Sequence, residues 1–324
     1  MNRIVWFDKL KAFAMFLVIW GHIILNCIPG EQKYDIAGLI YHIHIPLFLI
    51  ISGILIKEKT FKETTQTIVK KFVIPYIVWC VILSSFYIGT KLFSISLIKE
   101  NLIIIANGIS NDFLWFIKAY VLSYLLYQLL PYKNITKCIS GTILLLILNI
   151  VFINNNNLSQ IFSLTLYTYT FLSISTIFKS KIQNLSIYGC LFIILFLLLL
   201  KHATWENNYF TASFREIYNS PQWHIYATRL IIGFSISLAL ISLKNIKYLN
   251  SETLLSRVGQ HTLSIYMLQS LLVEAVLPRF VTIEHSFIGI IYSLILSFGM
   301  LLICYFIINQ SKRIKFVNNI LFGF

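Results

Sequence analysis

Lys11 and His22, in the apolar stretch 7–26, are the first residues whose types and spacing suggest chemistry. They are eleven positions apart, which corresponds to about 1100° of helix rotation and about 16.5 Å of rise, so both lie on one helix face. In a membrane-spanning helix, Lys11 lies near one surface and His22 deep in the outer half. Ionisable groups at that depth face the bundle interior or a cavity. The pattern predicts either a functional pair, or a boundary lysine and a structural histidine.

A second histidine, His44, lies just before Pro46 in the next apolar stretch, within the sequence HIHIPLFLIISG. A proline inside a membrane span frees backbone groups and usually produces a kink next to a cavity. His44 enters its span from the outer face and His22 lies near the outer end of the first span. We therefore expect the two histidines to meet at similar depth, which makes them a candidate site.

The composition defines the broad class of the protein. The chain is 58% hydrophobic and only 12% charged, and its mean hydropathy is +0.79, whereas a soluble domain carries about twice that charged fraction. Apolar runs of membrane-spanning length recur along the sequence, and such long aliphatic runs predict helices rather than barrel strands. We predict an all-α, polytopic integral membrane protein that forms a single transmembrane domain over residues 1–324. The five cysteines are scattered and match neither a metal site nor a disulfide framework.

The hydropathy pattern predicts about ten spans. They are expected at 8–27, 37–56, 72–90, 113–131, 138–153, 160–178, 186–201, 223–243, 260–278 and 286–308. The stretch 92–108 is interrupted by Lys99 and Glu100, so it is predicted to be interfacial or re-entrant. Counting it as a span would reverse the orientation of every later helix.

The distribution of charge favours ten spans with both termini in the cytoplasm. In that topology most of the 26 Lys and Arg residues, but only a minority of the 12 Asp and Glu residues, fall in cytoplasmic segments. This asymmetry is the positive-inside pattern. The net charge of +14 is then explained by topology and contact with anionic membrane lipid, and no nucleic-acid-binding motif accompanies it.

The densest basic cluster follows the second predicted span. It consists of Lys57, Lys59, Lys62, Lys70 and Lys71. Positive-inside bias alone accounts for such a cluster. The alternative is a phosphate-binding patch on the cytoplasmic face, where lysines act as point charges for an anionic cofactor.

Two cations, Lys118 and Arg229, are predicted inside the membrane and need partners there. Glu274 and Asp112 are the candidate counter-ions. The predicted outer loop 202–222 mixes aromatic and amide side chains, which suit contact with a carbohydrate but also suit an interfacial aromatic belt.

Five motifs, taken in order, resemble those of the acyltransferase family 3 integral membrane proteins, in particular the fucose 4-O-acetylase-like branch. They are FDKLKAFAMFLVIWGH, HIPLFLIISG, KKFVIPY, LWFIKAYVL and GQHTLSIYMLQ. The resemblance covers nearly the whole chain. It implies transfer of an acyl group, usually acetyl from acetyl-CoA, to a hydroxyl group of a cell-surface sugar.

The resemblance also implies roles for individual residues. The family motif has a basic residue eleven positions before its catalytic histidine, and the matching pair is Lys11 and His22, with lysine where arginine is usual. Lys70 and Lys71 match the basic pair before isoleucine and proline. Gln269 stands where the tyrosine-containing motif often ends in histidine.

The implied mechanism places acetyl-CoA on the cytoplasmic side, with its phosphates on Lys70, Lys71 and Lys11 and its thioester near His22. His22 acts as general base on the sugar hydroxyl or is itself acylated first. No metal is implied.

Further site residues are His44, which joins Lys11 and His22 as a catalytic candidate, and the donor-binding candidates Trp115 and Tyr266. The acceptor is a cell-surface polysaccharide or its lipid-linked precursor, and the setting is the inner membrane of a bacterium. Two alternatives stay open: an exporter or flippase for glycans that transfers no acyl group, and the same chemistry with succinyl or another acyl group.

Overall fold

A computed structural model describes residues 3–30, 33–57, 59–88, 114–130, 134–152, 154–177, 179, 223–243 and 250–323. Within these residues every regular element is a helix, as the sequence predicts. The helices are α1 (Val5–Cys27), α2 (Lys33–Leu55), α3 (Phe61–Ile68), α4 (Ile74–Ile88), α5 (Trp115–Leu129), α6 (Asn134–Val151), α7 (Asn156–Ile177), α8 (Trp223–Ser242), α9 (Leu254–Gly259), α10 (Thr262–Gln269), α11 (Phe287–Ser311) and α12 (Lys315–Phe322). Helices α3 and α4 are joined by a π-helical turn, Val69–Val73, and α10 continues through another, Ser270–Val276.

Four helical stretches of the described chain are long and apolar enough to cross a membrane. They are Val5–Cys27, Ile36–Leu55, Phe61–Leu83 and Phe287–Ser311. Shorter apolar helices occur at Ile135–Val151 and Leu230–Ser242. These helices indicate a membrane protein, whereas the count of ten spans stays a prediction. The predicted span 186–201, the segment 92–108, the loop 202–222 and Asp112 lie outside the described residues.

Helix α1 lies at the centre of the described bundle. It packs against α2, α9, α10 and α11, and most of its apolar side chains are buried. Two of its tryptophans anchor it to distant helices. Trp6 Nε1 donates a hydrogen bond to the Leu240 carbonyl at 3.0 Å, and Trp20 Nε1 donates to Ser293 Oγ at 3.0 Å. Because α1 is held on several sides, the positions of its polar side chains are closely constrained.

The third apolar helix begins earlier than the predicted start at residue 72. Thr60 caps α3 by accepting a hydrogen bond from the Glu63 backbone, and the Glu63 carboxylate accepts one from the Thr60 backbone. This reciprocal cap fixes the helix start and extends the helix through a polar stretch that sequence analysis treated as a loop. Lys70 and Lys71 consequently lie on the π-helical turn and not in a loop.

Helices α5, α6 and α7 pack through small polar side chains. Ser123 Oγ of α5 donates to the Thr165 carbonyl of α7 at 3.1 Å, and Tyr169 of α7 donates to the Lys137 carbonyl of α6 at 2.7 Å. Such contacts hold helices together where lipid offers no hydrophobic driving force between them.

The C-terminal helix α12 closes the end of the bundle that carries the basic π-helical turn. Trp79 Nε1 of α4 donates to the Leu321 carbonyl at 2.8 Å. Gly323, which follows α12, has a φ of 71°, a conformation that favours glycine. A Cβ atom on Gly323 would lie 2.7 Å from the Lys70 carbonyl oxygen and 2.7 Å from Lys71 Cα. The chain after α12 therefore lies directly against the turn of Lys70 and Lys71.

Replacing Gly259 with alanine is expected to lower the free energy of unfolding by about 1–3 kcal/mol, because it adds a methyl group to a filled interface. The new Cβ would overlap the Asp8 carbonyl oxygen where α9 meets α1. The measurement is the thermal unfolding midpoint of the purified protein in detergent. The matched control is Gly299→Ala in α11, where a Cβ meets no atom within 4 Å. The control should be neutral or stabilising, since alanine favours helices. Equal midpoints for the two variants would contradict the prediction.

Candidate active site

A chamber of about 180 Å³ lies between α1, α2, α5 and α10. A cavity of about 150 Å³ binds a molecule the size of benzene, so this chamber has room for an acyl group and the end of its carrier. Its walls are mostly apolar and aromatic. They consist of Lys11, Met15, Val18, His22, Tyr41, His44, Ile45, Phe48, Ser52, Phe72, Trp115, Phe116, Tyr120, Thr262, Leu263 and Tyr266.

Five of the seven residues that the sequence predicts for the site line this chamber. They are Lys11, His22, His44, Trp115 and Tyr266. Lys11 and His22 share a face of α1, as their spacing predicts. Lys70 and Lys71 do not line the chamber; they are exposed on the π-helical turn. Phe72, the next residue, lines it, so the basic pair lies beside the chamber wall.

His22 faces a carboxylate at the chamber. Its Nε2 lies 3.6 Å from Glu274 Oε1, and both side chains are largely buried. At this distance the carboxylate would attract a protonated imidazole, and a small closure would form a hydrogen bond. Glu274 Oε1 also accepts a hydrogen bond from Gln269 Nε2 at 2.9 Å, which orients the carboxylate. Glu274 thus connects His22 of α1 with Gln269 at the end of α10.

The two ring nitrogens of His22 have different surroundings. Nε2 faces Glu274, whereas Nδ1 makes no hydrogen bond within the described chain. In His42 and His44, by contrast, Nδ1 is bound to the carbonyl four residues earlier, at 2.6 Å and 2.8 Å. A carbonyl only accepts, so Nδ1 of those two rings carries the proton. Among the three histidines of α1 and α2, His22 is thus the one whose Nδ1 can take up a proton.

His22 and His44 both contact the ring of Tyr41, which lies between them. The Tyr41 ring lies edge-on to His22, with centroids 6.3 Å apart, and edge-on to His44, with centroids 4.8 Å apart. His44 therefore lines the same chamber and borders Tyr41, so its placement suits a role in orienting a substrate.

One wall of the chamber is aromatic. The Phe116 ring packs on Trp115, Tyr120 and Tyr266, with centroid separations of 6.0, 6.0 and 5.8 Å. Phe72 packs on Tyr120 at 5.5 Å. An apolar wall of this kind keeps water away from a reactive group.

Lys11 belongs to a chain of ion pairs at one end of the chamber. Its Nζ lies 2.8 Å from Asp8 Oδ1, and Asp8 Oδ2 lies 2.8 Å from Arg3 Nε. Arg3 Nη1 in turn lies 2.7 Å from Glu252 Oε1. Asp8 holds the Lys11 ammonium in place and offsets part of its charge.

The contact between Glu274 and His22 was not predicted from the sequence. Glu274 is an acidic residue in an apolar stretch, and the sequence indicated only that it could be a counter-ion for Lys118 or Arg229. The Lys118 ammonium lies 5.5 Å from the centre of the Tyr76 ring. Arg229 lies in α8, but its side chain is outside the described part. Phe116 and Tyr120 were also missed, since an aromatic residue in a span carries no distinguishing signal.

The described residues contain no group of three His, Cys, Asp or Glu side chains that could hold a metal ion. Four of the five cysteines lie in this part of the chain, and all four are free thiols. The candidate site is therefore built from a histidine, a carboxylate, a lysine and aromatic rings.

Helices of membrane length around a buried histidine–carboxylate pair define a membrane protein with an internal polar site. A family model described as an acyltransferase domain, Acyl_transf_3, matches residues 4–309. The chain belongs to this acyltransferase family, which confirms the resemblance noted in the sequence.

Two curated relatives are nodulation proteins named NolL. The protein of Mesorhizobium japonicum is 27% identical over 141 residues, which cover 41% of this chain and 37% of the relative. The protein of Sinorhizobium fredii is 25% identical over 198 residues, which cover 56% of this chain and 50% of the relative. The matched part thus spans half or less of these relatives' length. No solved structure matches the chain.

Proposed function

We propose that this protein is an O-acetyltransferase that moves an acetyl group from cytoplasmic acetyl-CoA to a sugar hydroxyl. The sugar belongs to a cell-surface polysaccharide or its lipid-linked precursor. The enzyme works as one transmembrane domain over residues 1–324 in the inner membrane of a bacterium, with both termini in the cytoplasm. Family membership supports acyl transfer, and the positive-inside pattern supports the orientation.

The observation that carries the proposal is the contact between His22 and Glu274 at an apolar chamber. Glu274 favours the tautomer of His22 that carries its proton on Nε2, which leaves Nδ1 as the basic nitrogen. Nδ1 takes the proton of the acceptor hydroxyl while the hydroxyl oxygen attacks the thioester carbonyl. The thioester carbon–sulfur bond then breaks, the imidazolium gives its proton to the leaving thiolate, and a sugar ester and free thiol result.

A second route uses the same residues. His22 Nδ1 attacks the thioester carbonyl, the carbon–sulfur bond breaks, and an acyl-imidazolium and a thiolate form. The sugar hydroxyl oxygen then attacks the acyl carbon, the bond to Nδ1 breaks, and the hydroxyl proton ends on the thiolate. In both routes Glu274 stabilises the positive charge that develops on the imidazole ring. His44 and Tyr266 orient the acceptor and the thioester, and Trp115 forms part of the donor wall.

The donor enters from the end of the chamber that carries Lys11. The acyl group and the end of its carrier occupy the chamber of about 180 Å³, and the phosphates of the nucleotide contact lysines at the rim. Lys70 and Lys71 are exposed next to Phe72, which lines the chamber. They act as point charges, a role for which lysine suffices without the paired hydrogen bonds of arginine.

The proposal is tested with purified protein, radiolabelled acetyl-CoA and a crude cell-surface glycan extract. The expected result is label in the glycan, released again by mild alkali as an ester should be. Absence of label with acetyl-CoA but presence with succinyl-CoA or another donor would correct the acyl group. Movement of a labelled glycan precursor into vesicles without any consumption of acyl-CoA would overturn the enzyme in favour of an exporter.

Replacing both Lys70 and Lys71 with glutamine is expected to raise KM for acetyl-CoA about tenfold and to leave kcat nearly unchanged. The reason is the loss of two charge-assisted contacts to phosphate at an exposed site. Initial rates at varied donor concentration measure both constants. Lys62→Gln is the matched control, because Lys62 is exposed on the same helix, away from the π-helical turn. A double variant with the KM of the control would contradict the assignment.

A further inference from the structure

A lysine and a histidine from distant parts of the chain meet near the chamber. Lys312 Nζ, just beyond α11, lies 2.8 Å from Nε2 of His261, which precedes α10. An ammonium group has only donors, so it donates this hydrogen bond to the unprotonated Nε2. Lys312 also lies 3.4 Å from Asn309 Oδ1. Within the described residues, Lys312 contacts no carboxylate.

No described carboxylate therefore offsets the charge of Lys312, whose side chain is exposed to solvent. An ammonium has three N–H donors, and its two described partners, a ring nitrogen and an amide oxygen, are neutral. Partial burial among these neighbours lowers the pKa of Lys312. Lys11 is close enough to His261 to interact with it electrostatically, and Asp8 offsets only part of the charge of Lys11. Positive charges placed close together in this way favour an anionic ligand.

The cluster lies at the end of the chamber that carries Lys11. Thr262, the residue after His261, lines the chamber, and so does Lys11. An anionic group held by Lys312 and His261 would thus lie next to the opening through which a donor reaches His22. This position distinguishes the cluster from the basic residues that face only lipid or solvent.

Helix α12 separates this cluster from the other basic site. The helix begins three residues after Lys312, and Gly323 at its far end lies against Lys70 and Lys71. Eight residues of helix extend about 12 Å. Two positively charged positions therefore lie at opposite ends of one short helix.

We propose that Lys312 and His261 form a second phosphate-binding subsite, separate from Lys70 and Lys71, for the nucleotide part of the acyl donor. The inference rests on the proposed function. It also makes the donor class more specific, because two separated cationic subsites fit a carrier with phosphates at two places. Coenzyme A has this chemistry, with a pyrophosphate and a ribose 3′-phosphate. Lys312 donates to one of these groups while His261 keeps the ammonium in position.

The test is binding of coenzyme A itself to the purified full-length protein in detergent, measured by titration calorimetry. Lys312→Gln keeps an N–H donor for His261 but removes the charge, and it is expected to weaken binding about tenfold. The matched control is Arg313→Gln, which removes the next positive charge along the chain, from an exposed side chain. The control should bind within twofold of the unmodified protein. In the transfer assay, Lys312→Gln should raise KM for the donor and leave kcat unchanged.

Equal affinity of Lys312→Gln and Arg313→Gln for coenzyme A would overturn the subsite. So would a Lys312→Gln variant that binds coenzyme A normally but binds detergent-dispersed phosphatidylglycerol more weakly, since that would assign Lys312 to a lipid headgroup. Failure of the proposed function has a different result, because the unmodified protein would then transfer no acyl group in the transfer assay. A protein that transfers acyl groups while Lys312→Gln binds coenzyme A normally would refute only this subsite.

Discussion

Replacing His22 with alanine is expected to lower the rate of acyl transfer by at least about a thousandfold. General acid–base catalysis by a positioned side chain contributes on the order of 10²–10⁴ in rate, and the acyl-imidazole route would make the loss complete. His22 is the chamber histidine whose Nδ1 makes no hydrogen bond within the described chain, so no described residue replaces it. The measurement is transfer of labelled acetyl groups, with the variant's thermal unfolding midpoint as a check on folding.

His42→Asn is the matched control for this prediction. His42 is also a buried histidine of a membrane helix, but it does not line the chamber, and its Nδ1 is bound to the Gly38 carbonyl. The control should keep activity within a few fold. A folded His22→Ala protein with normal activity would remove His22 from the chemistry and with it the proposed mechanism.

Replacing Glu274 with glutamine is expected to lower kcat about a hundredfold and to change KM for the donor little. The amide keeps the shape of the side chain but removes the charge that favours the Nε2–H tautomer and stabilises the imidazolium. Steady-state kinetics separate the two constants, and a merely structural contact would not produce a loss confined to kcat.

The carboxylate-to-amide control is Glu252→Gln. Glu252 is exposed and pairs with Arg3, at the end of the ion-pair chain that is farthest from Lys11. It should retain nearly full activity. If Glu274→Gln kept the unmodified kcat, Glu274 would be a structural neighbour of His22 and not a positioning residue.

The part of the site built on single helices was predictable from the sequence. Helix geometry places Lys11 and His22 on one face without any knowledge of the neighbours. The proline in α2 indicated a cavity beside His44, and both histidines line the chamber. The predicted positions agree with the structure because they depend on local periodicity, which a sequence records directly, whereas the catalytic roles of these residues stay predictions.

The part that depends on packing between distant helices could not be predicted. Glu274 is 252 positions from His22, and no local pattern states which face of which helix its segment presents to α1. The early start of the third apolar helix was missed because the Thr60–Glu63 cap acts in a stretch that hydropathy assigns to a loop. The Lys312–His261 contact likewise joins two segments that only the fold brings together.

The π-helical segment Ser270–Val276, which carries Glu274, has a consequence for insertions and deletions. A π-helical turn holds one residue more than an α-helical turn, so deleting one residue there would let regular α-helix form. Because the extra residue is taken up within the turn, such a deletion, for example of Leu272, would leave the helix after it in nearly the same orientation. The carboxylate would then still face His22. A deletion in the regular helix α10 removes no such extra residue and would rotate everything after it by about 100°. In an alignment, single-residue deletions should therefore occur within Ser270–Val276 and not in α10.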